Sequence, residues 1–149
     1  MIYFRVEAET KKIFTIGTSS RSEEDFIEIL LFYRIEVVID VRSYPKSKIP
    51  TFNQAYLSGL LQREGLQYVY MGRELGGLRK GGYGAYAKTE EFRLGIEKLE
   101  GIATVAPAVV MCAERFPWKC HRRWIARELH FKGWTIEHII DKGKLWIPK

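Results

Sequence analysis

Short apolar runs alternate with helix-periodic stretches from residue 13 to residue 139, and that alternation restricts the chain to one class of fold. The apolar runs are Ile13-Phe14-Thr15-Ile16, Glu36 to Val41, Gln67 to Met71, Ala108 to Met111 and Trp134 to Ile139. Each is too short for a helix and is bounded by turn residues, as buried strands are. Between them, residues 22–34, 52–64, 89–101 and 118–132 place apolar side chains three and four apart. Ser22 ahead of Glu23, Glu24 and Asp25 resembles a capping box, and Gly65 and Gly133 suit helix ends. Five strands separated by four helices predict an α/β fold, a single three-layer domain over residues 1–149. Its sheet is expected to hold about five mostly parallel strands, with helices on both faces and right-handed crossovers. Residues 145–147 are expected to add a short edge strand, and residues 2–7 a hairpin-like strand ahead of the core. Residues 72–88 carry six glycines and are the least regular segment, a length of loop more often functional than decorative.

A parallel sheet gathers the ends of its strands on one edge, where ligands bind in open α/β folds. The segments arriving there are Gly17 to Arg21, Asp40 to Lys48, Met71 to Gly77 and Cys112 to Arg123. They bring Ser19, Ser20, Arg21, Asp40, Arg42, Glu74, Cys112, Glu114, Arg115, Cys120, His121 and Arg122 to one edge. The stretch Val109 to Arg123 is the densest, with both cysteines of the chain and three arginines. Guanidinium groups bind phosphate or carboxylate in pairs of hydrogen bonds, and a helix start adds positive partial charge. Ser19, Ser20, Arg21, Arg42, Arg115 and Arg122 are therefore the candidate substrate-binding residues. Cys120, His121 and Glu114 are the candidate catalytic ones, with Cys120 as nucleophile because a helix amino terminus favours thiolate. His121 as its general base meets a geometric obstacle, since neighbouring helical residues point about 100° apart. Cys112 reads first as a small core residue. Asp40 and Arg42 share one side of their strand, which fits a bracing ion pair and a carboxylate that aims Arg42 at an anion. His130 and His138 read as structural or exposed.

Several of these segments, taken in order, carry a resemblance. Thr15-Ile16-Gly17, Ile39-Asp40-Val41-Arg42-Ser43, Pro50-Thr51-Phe52-Asn53, Glu74-Leu75-Gly76-Gly77 and Met111-Cys112-Ala113-Glu114 are followed by Pro117 and Cys120-His121-Arg122-Arg123. Together they resemble the domain-of-unknown-function family numbered 488, over roughly residues 13–139. The resemblance implies one α/β domain and no established activity. The family commonly shows Gly-His-Ser-Asn after the first strand, whereas this chain has Gly17-Thr18-Ser19-Ser20, so no histidine acts at position 18.

Charge and composition narrow the partners. A net charge of +6 and a pI near 9.3 favour an anionic partner: a phosphorylated small molecule, nucleic acid or an acidic protein. Hydrophobic residues at 46% and charged residues at 28% exclude a disordered chain. No apolar run approaches the roughly 20 residues of a membrane helix, and residues 1–7 lack the order of a signal peptide. A cytoplasmic location without membrane attachment is expected, and the sequence sets no oligomeric state. Neither a dinucleotide fingerprint nor a phosphate-binding Gly-Lys-Ser/Thr loop is present, so no cofactor is expected. Cys112, Cys120 and His121 match no metal-ligand spacing, and Arg122 and Arg123 repel a cation, so no metal is expected either. The cysteine phosphatase pattern fails because Trp118 and Ala126 stand six positions after the cysteines. Two functions stay open: an enzyme acting on a phosphate-bearing or nucleotide ligand, and a nucleic-acid-binding module using loop cations with Tyr44, Phe52, Tyr83, Tyr86 and Trp118.

Overall fold

The computed structural model describes residues 11–148, and the strand expected over 2–7 lies outside the described residues. The first strand, β1 (Lys12–Gly17), sends Ile13 to one core and Phe14 and Ile16 to another, which makes it a central strand covered on both faces. Next come α1 (Glu23–Phe32), β2 (Val37–Asp40), a 3-10 turn (Pro50–Phe52), α2 (Gln54–Arg63) and β3 (Gln67–Tyr70). Two single helical turns follow, α3 (Gly72–Leu75) and α4 (Tyr83–Tyr86), then α5 (Glu90–Val105) and β4 (Ala108–Cys112). A second 3-10 turn (Pro117–Lys119) leads to α6 (Arg122–Phe131), β5 (Thr135–Asp141) and β6 (Lys144–Trp146).

The sheet order is β3-β2-β4-β1-β5-β6. The first five strands are parallel, and β6 turns back antiparallel on β5. The expected three-layer α/β architecture is the one observed, with β6 as the edge strand. On one face Phe92, Ile96 and Leu99 of α5 and Ile125 and Leu129 of α6 pack on Ile39 and Val110. On the other, Phe26, Ile29 and Leu30 of α1 and Leu57 and Leu61 of α2 pack on Val38 and Val109. Phe26 meets Phe52 edge-on at 5.1 Å, which fastens the 3-10 turn to α1. Each such side chain stabilises the fold by about 1.5–3 kcal/mol when fully buried.

The helix ends follow local chemistry. Ser22 accepts the amide of Asp25 at 3.1 Å, and Thr89 caps α5 through the amide of Phe92. Three boundaries differ from expectation. α5 runs past Gly101 to Val105, because Ala103 still packs on the core. The glycine-rich segment is organised rather than irregular, since the Tyr83 and Tyr86 hydroxyls donate to the carbonyls of Leu75 and Glu74. α6 begins at Arg122 instead of residue 118, because the chain makes a 3-10 turn and then an extended step at Cys120 first. No described helix is long and apolar enough to cross a membrane.

Candidate active site

The chain leaving β2 goes to α2 on one face, and the chain leaving β4 goes to α6 on the other. A crevice opens where such connections part. It holds an open cavity of about 730 Å³, walled by Arg42 and Lys46, Gly77 and Tyr83, Cys112 and Glu114, and the segment from Trp118 to Trp124 apart from Arg122.

Two sulfur atoms sit at its wall. Cys112 Sγ and Cys120 Sγ are 3.3 Å apart, and both thiols are free. The Arg122 backbone N–H donates to Cys120 Sγ at 3.3 Å, and the Arg122 Nε–H at 3.2 Å. With two N–H groups already directed at it, Cys120 is the acceptor of the pair and Cys112 the donor. This pattern favours charge on Cys120 alone. The Cys112 hydrogen bond lowers the Cys120 thiol to about 6, with help from Arg122 and against the upward push of burial. Cys112 moves the other way, raised by that same bond and by its own burial.

Local sequence explains the placement. Pro117 starts the 3-10 turn, and the extended backbone at Cys120 (φ −142°, ψ 178°) turns its sulfur back towards β4. Gly17 lets the chain after β4 cross β1 closely: a Cβ there would lie 1.8 Å from the Glu114 carbonyl oxygen. The amides of Thr18 and Ser19 donate to the carbonyls of Cys112 and Ala113 and fix that crossing.

Arg122 is the largest fully buried side chain. Besides Cys120, its guanidinium donates to Thr15 Oγ1 at 3.0 Å and to the carbonyls of Glu114 and Arg115. Among the described residues no carboxylate pairs with it, and Cys120 is its one ionisable acceptor. A buried cation without an anion is strongly unfavourable, so the guanidinium and the Cys120 thiolate act as each other's counter-ion. Thr15 Oγ1 accepts from Arg122 and is also hydrogen-bonded to His138 Nδ1 at 2.5 Å. Burial and the nearby Arg122 hold His138 neutral, at about 3.

His121 lines the cavity but does not serve Cys120. Its Nε2 donates to the Val41 carbonyl at 2.8 Å, and no hydrogen bond joins it to Cys120 among the described residues. Burial lowers its basicity, with Arg122 and Arg79 adding to the effect. Gly77 makes room for the ring, since a Cβ there would lie 2.6 Å from His121 Nδ1. The expected general base for Cys120 is thus replaced by Arg122 and Cys112, which stabilise the thiolate without taking a proton. Glu114 is exposed and lines the cavity, and its backbone carbonyl rather than its carboxylate contacts Arg122.

The remaining expected ligand contacts divide. Arg42 lines the cavity, yet its guanidinium is committed to Asp40 at 2.8 and 2.9 Å and to the Phe52 carbonyl at 2.7 Å. Burial opposes its charge, but Asp40 outweighs burial and raises its pKa. The bracing reading of Asp40–Arg42 is the observed one. Tyr68 donates to the same carboxylate, and burial and Asp40 together push its hydroxyl pKa up. Arg122 lies behind the wall. Ser19, Ser20, Arg21 and Arg115 do not line the cavity, which corrects their grouping with it: Arg21 donates to the carbonyls of Gly17 and Ile140, and Arg115 pairs with Asp141 at 3.7 Å. The exposed cations that do line it are Lys46, Lys119 and Arg123. Residues 42–48 stand out in the sequence as a basic loop, but nothing there says which cation turns inwards. Among the described residues no cluster of three or more His, Cys, Asp or Glu is placed to hold a metal ion.

A family model described as domain of unknown function DUF488 matches residues 22–129, and the chain belongs to that family. No curated protein and no solved structure matches it.

Proposed function

We propose that the cavity at the carboxyl edge of the sheet binds a small anionic ligand and that Cys120 attacks it as a thiolate. Phosphate-bearing ligands, nucleotides included, are the first class to test. The observation that carries this reading is the buried Arg122 guanidinium, whose one ionisable acceptor among the described residues is the Cys120 sulfur. Lys46, Lys119 and Arg123 at the mouth supply the attraction for an anion, with Glu114 as the one carboxylate on the lining among the described residues. Arg122 and Cys112 are positioning residues in this scheme, and Gly77 and His121 shape the wall.

Alkylation tests it directly. Cys120 should react with iodoacetamide with a midpoint at about 6, and its rate ratio of iodoacetate to iodoacetamide should exceed that of free cysteine. A midpoint near the ordinary thiol value of 9.0, or a rate ratio at or below that of free cysteine, overturns the proposal. A second reading, binding of single-stranded nucleic acid, is favoured by exposed Tyr44 and Trp118 beside Lys46, Lys119 and Arg123. Polymer binding that weakens steeply with salt would support that second reading.

A further inference from the structure

The geometry points to Cys112 and Cys120 as a two-electron dithiol couple that exchanges with the disulfides of small anionic thiols. This rests on the thiolate reading of Cys120 given above and names a substrate class within it. The two sulfurs are already in contact at 3.3 Å, in a wall open to a cavity of about 730 Å³. The acceptor sulfur carries the Arg122 donors, and the donor sulfur lies buried behind it. That is the division of labour between an attacking thiol and a resolving one.

In the first step the Cys120 thiolate attacks one sulfur of the substrate disulfide. A mixed disulfide forms on Cys120, and the substrate's other sulfur leaves as a thiolate. Cys112 then gives its proton to that leaving thiolate and attacks Cys120 Sγ. The Cys112–Cys120 disulfide forms and the second substrate thiolate is expelled. Two electrons pass from the protein sulfurs to the substrate, whose disulfide ends as one thiol and one thiolate. Lys46, Lys119 and Arg123 favour disulfides that carry carboxylates.

Arg122 sets the direction in which the couple is poised. Oxidation removes the charge on Cys120 and leaves the guanidinium buried without an anion. The reduced form is therefore the stabilised one, so the protein disulfide accepts electrons readily and forms only under an excess of substrate disulfide, as in other couples whose thiolate is held by a positive environment.

The experiment mixes reduced full-length protein with a large excess of oxidised glutathione, which is anionic, or with the same excess of cystamine, which is cationic, and follows the products by mass spectrometry. Expected are a loss of two hydrogens from the wild type, a trapped glutathione on Cys120 in Cys112→Ser, and glutathione disulfide reacting at least several-fold faster than cystamine. Wild type that stops at the mixed disulfide removes Cys112 from the couple and overturns the inference. Faster reaction with cystamine overturns the substrate class. Cys120 that reacts rapidly with iodoacetamide but with neither disulfide overturns the couple and leaves the thiolate reading standing. Cys120 inert to all three reagents overturns both. The wild-type outcomes decide the matter even if Cys112→Ser folds poorly.

Discussion

Replacing Cys120 with serine should change how stability depends on pH. The folded thiol sits at about 6 against an ordinary value of 9.0. A depressed acid contributes stability that is fully present above the unfolded value and is lost as pH falls through the folded one. The window is therefore about 6 to 9. With those two values, linkage gives next to nothing at about pH 5 and about 2–3 kcal/mol at about pH 8. Serine has no charge to contribute and leaves Arg122 without its counter-ion, so the variant should fall progressively further below wild type as pH rises. Urea denaturation of both proteins under reducing, anaerobic conditions at several pH values measures this difference. Subtracting one from the other cancels His121 and the carboxylates, which titrate in both. A wild-type advantage that stays flat between about pH 5 and pH 8 would refute the thiolate–guanidinium pair.

Other perturbations give separate checks. Arg42→Met leaves the fully buried Asp40 carboxylate without its cation and should lower stability by about 3–5 kcal/mol in chemical denaturation; a loss below about 1 kcal/mol would remove the bracing role from this pair. Gly17→Ala drives a methyl group into the Glu114 carbonyl and should destabilise by about 3 kcal/mol or fail to fold, a result read from circular dichroism melts. Replacing Lys46, Lys119 and Arg123 together with alanine should lower the iodoacetate-to-iodoacetamide rate ratio of Cys120 to that of free cysteine while leaving the melting temperature within a few degrees. An unchanged reagent preference would remove these side chains from the anion-binding role.

The fold was legible in the sequence because strand and helix periods are local. Val37 to Asp40 and Ala108 to Cys112 are buried on both faces, and their unbroken apolar runs say so. The turns α3 and α4 were not legible, since Tyr83 and Tyr86 hold them through carbonyls eight and twelve residues away. The cavity lies beside the reactive residues that cluster in the sequence after β4. The roles of its arginines could not be read from the sequence. Arg42, Arg21 and Arg122 look alike in sequence, and their work is decided by which acceptors the folded chain places around them. For Arg122 those acceptors come from β1, from the chain after β4 and from Cys120. Adjacent positions made a direct Cys120–His121 pair awkward, and the two do not pair: the extended step at Cys120 turns the sulfur to Cys112, while His121 is drawn to the Val41 carbonyl.

One guanidinium grips both ends of the segment that joins the two cysteines, at the Glu114 and Arg115 carbonyls and at Cys120. The segment is thereby a closed clasp whose hinge and latch are the same side chain. Amide exchange along residues 113–121 should consequently speed up as one block when that side chain is shortened, rather than residue by residue from a fraying tip.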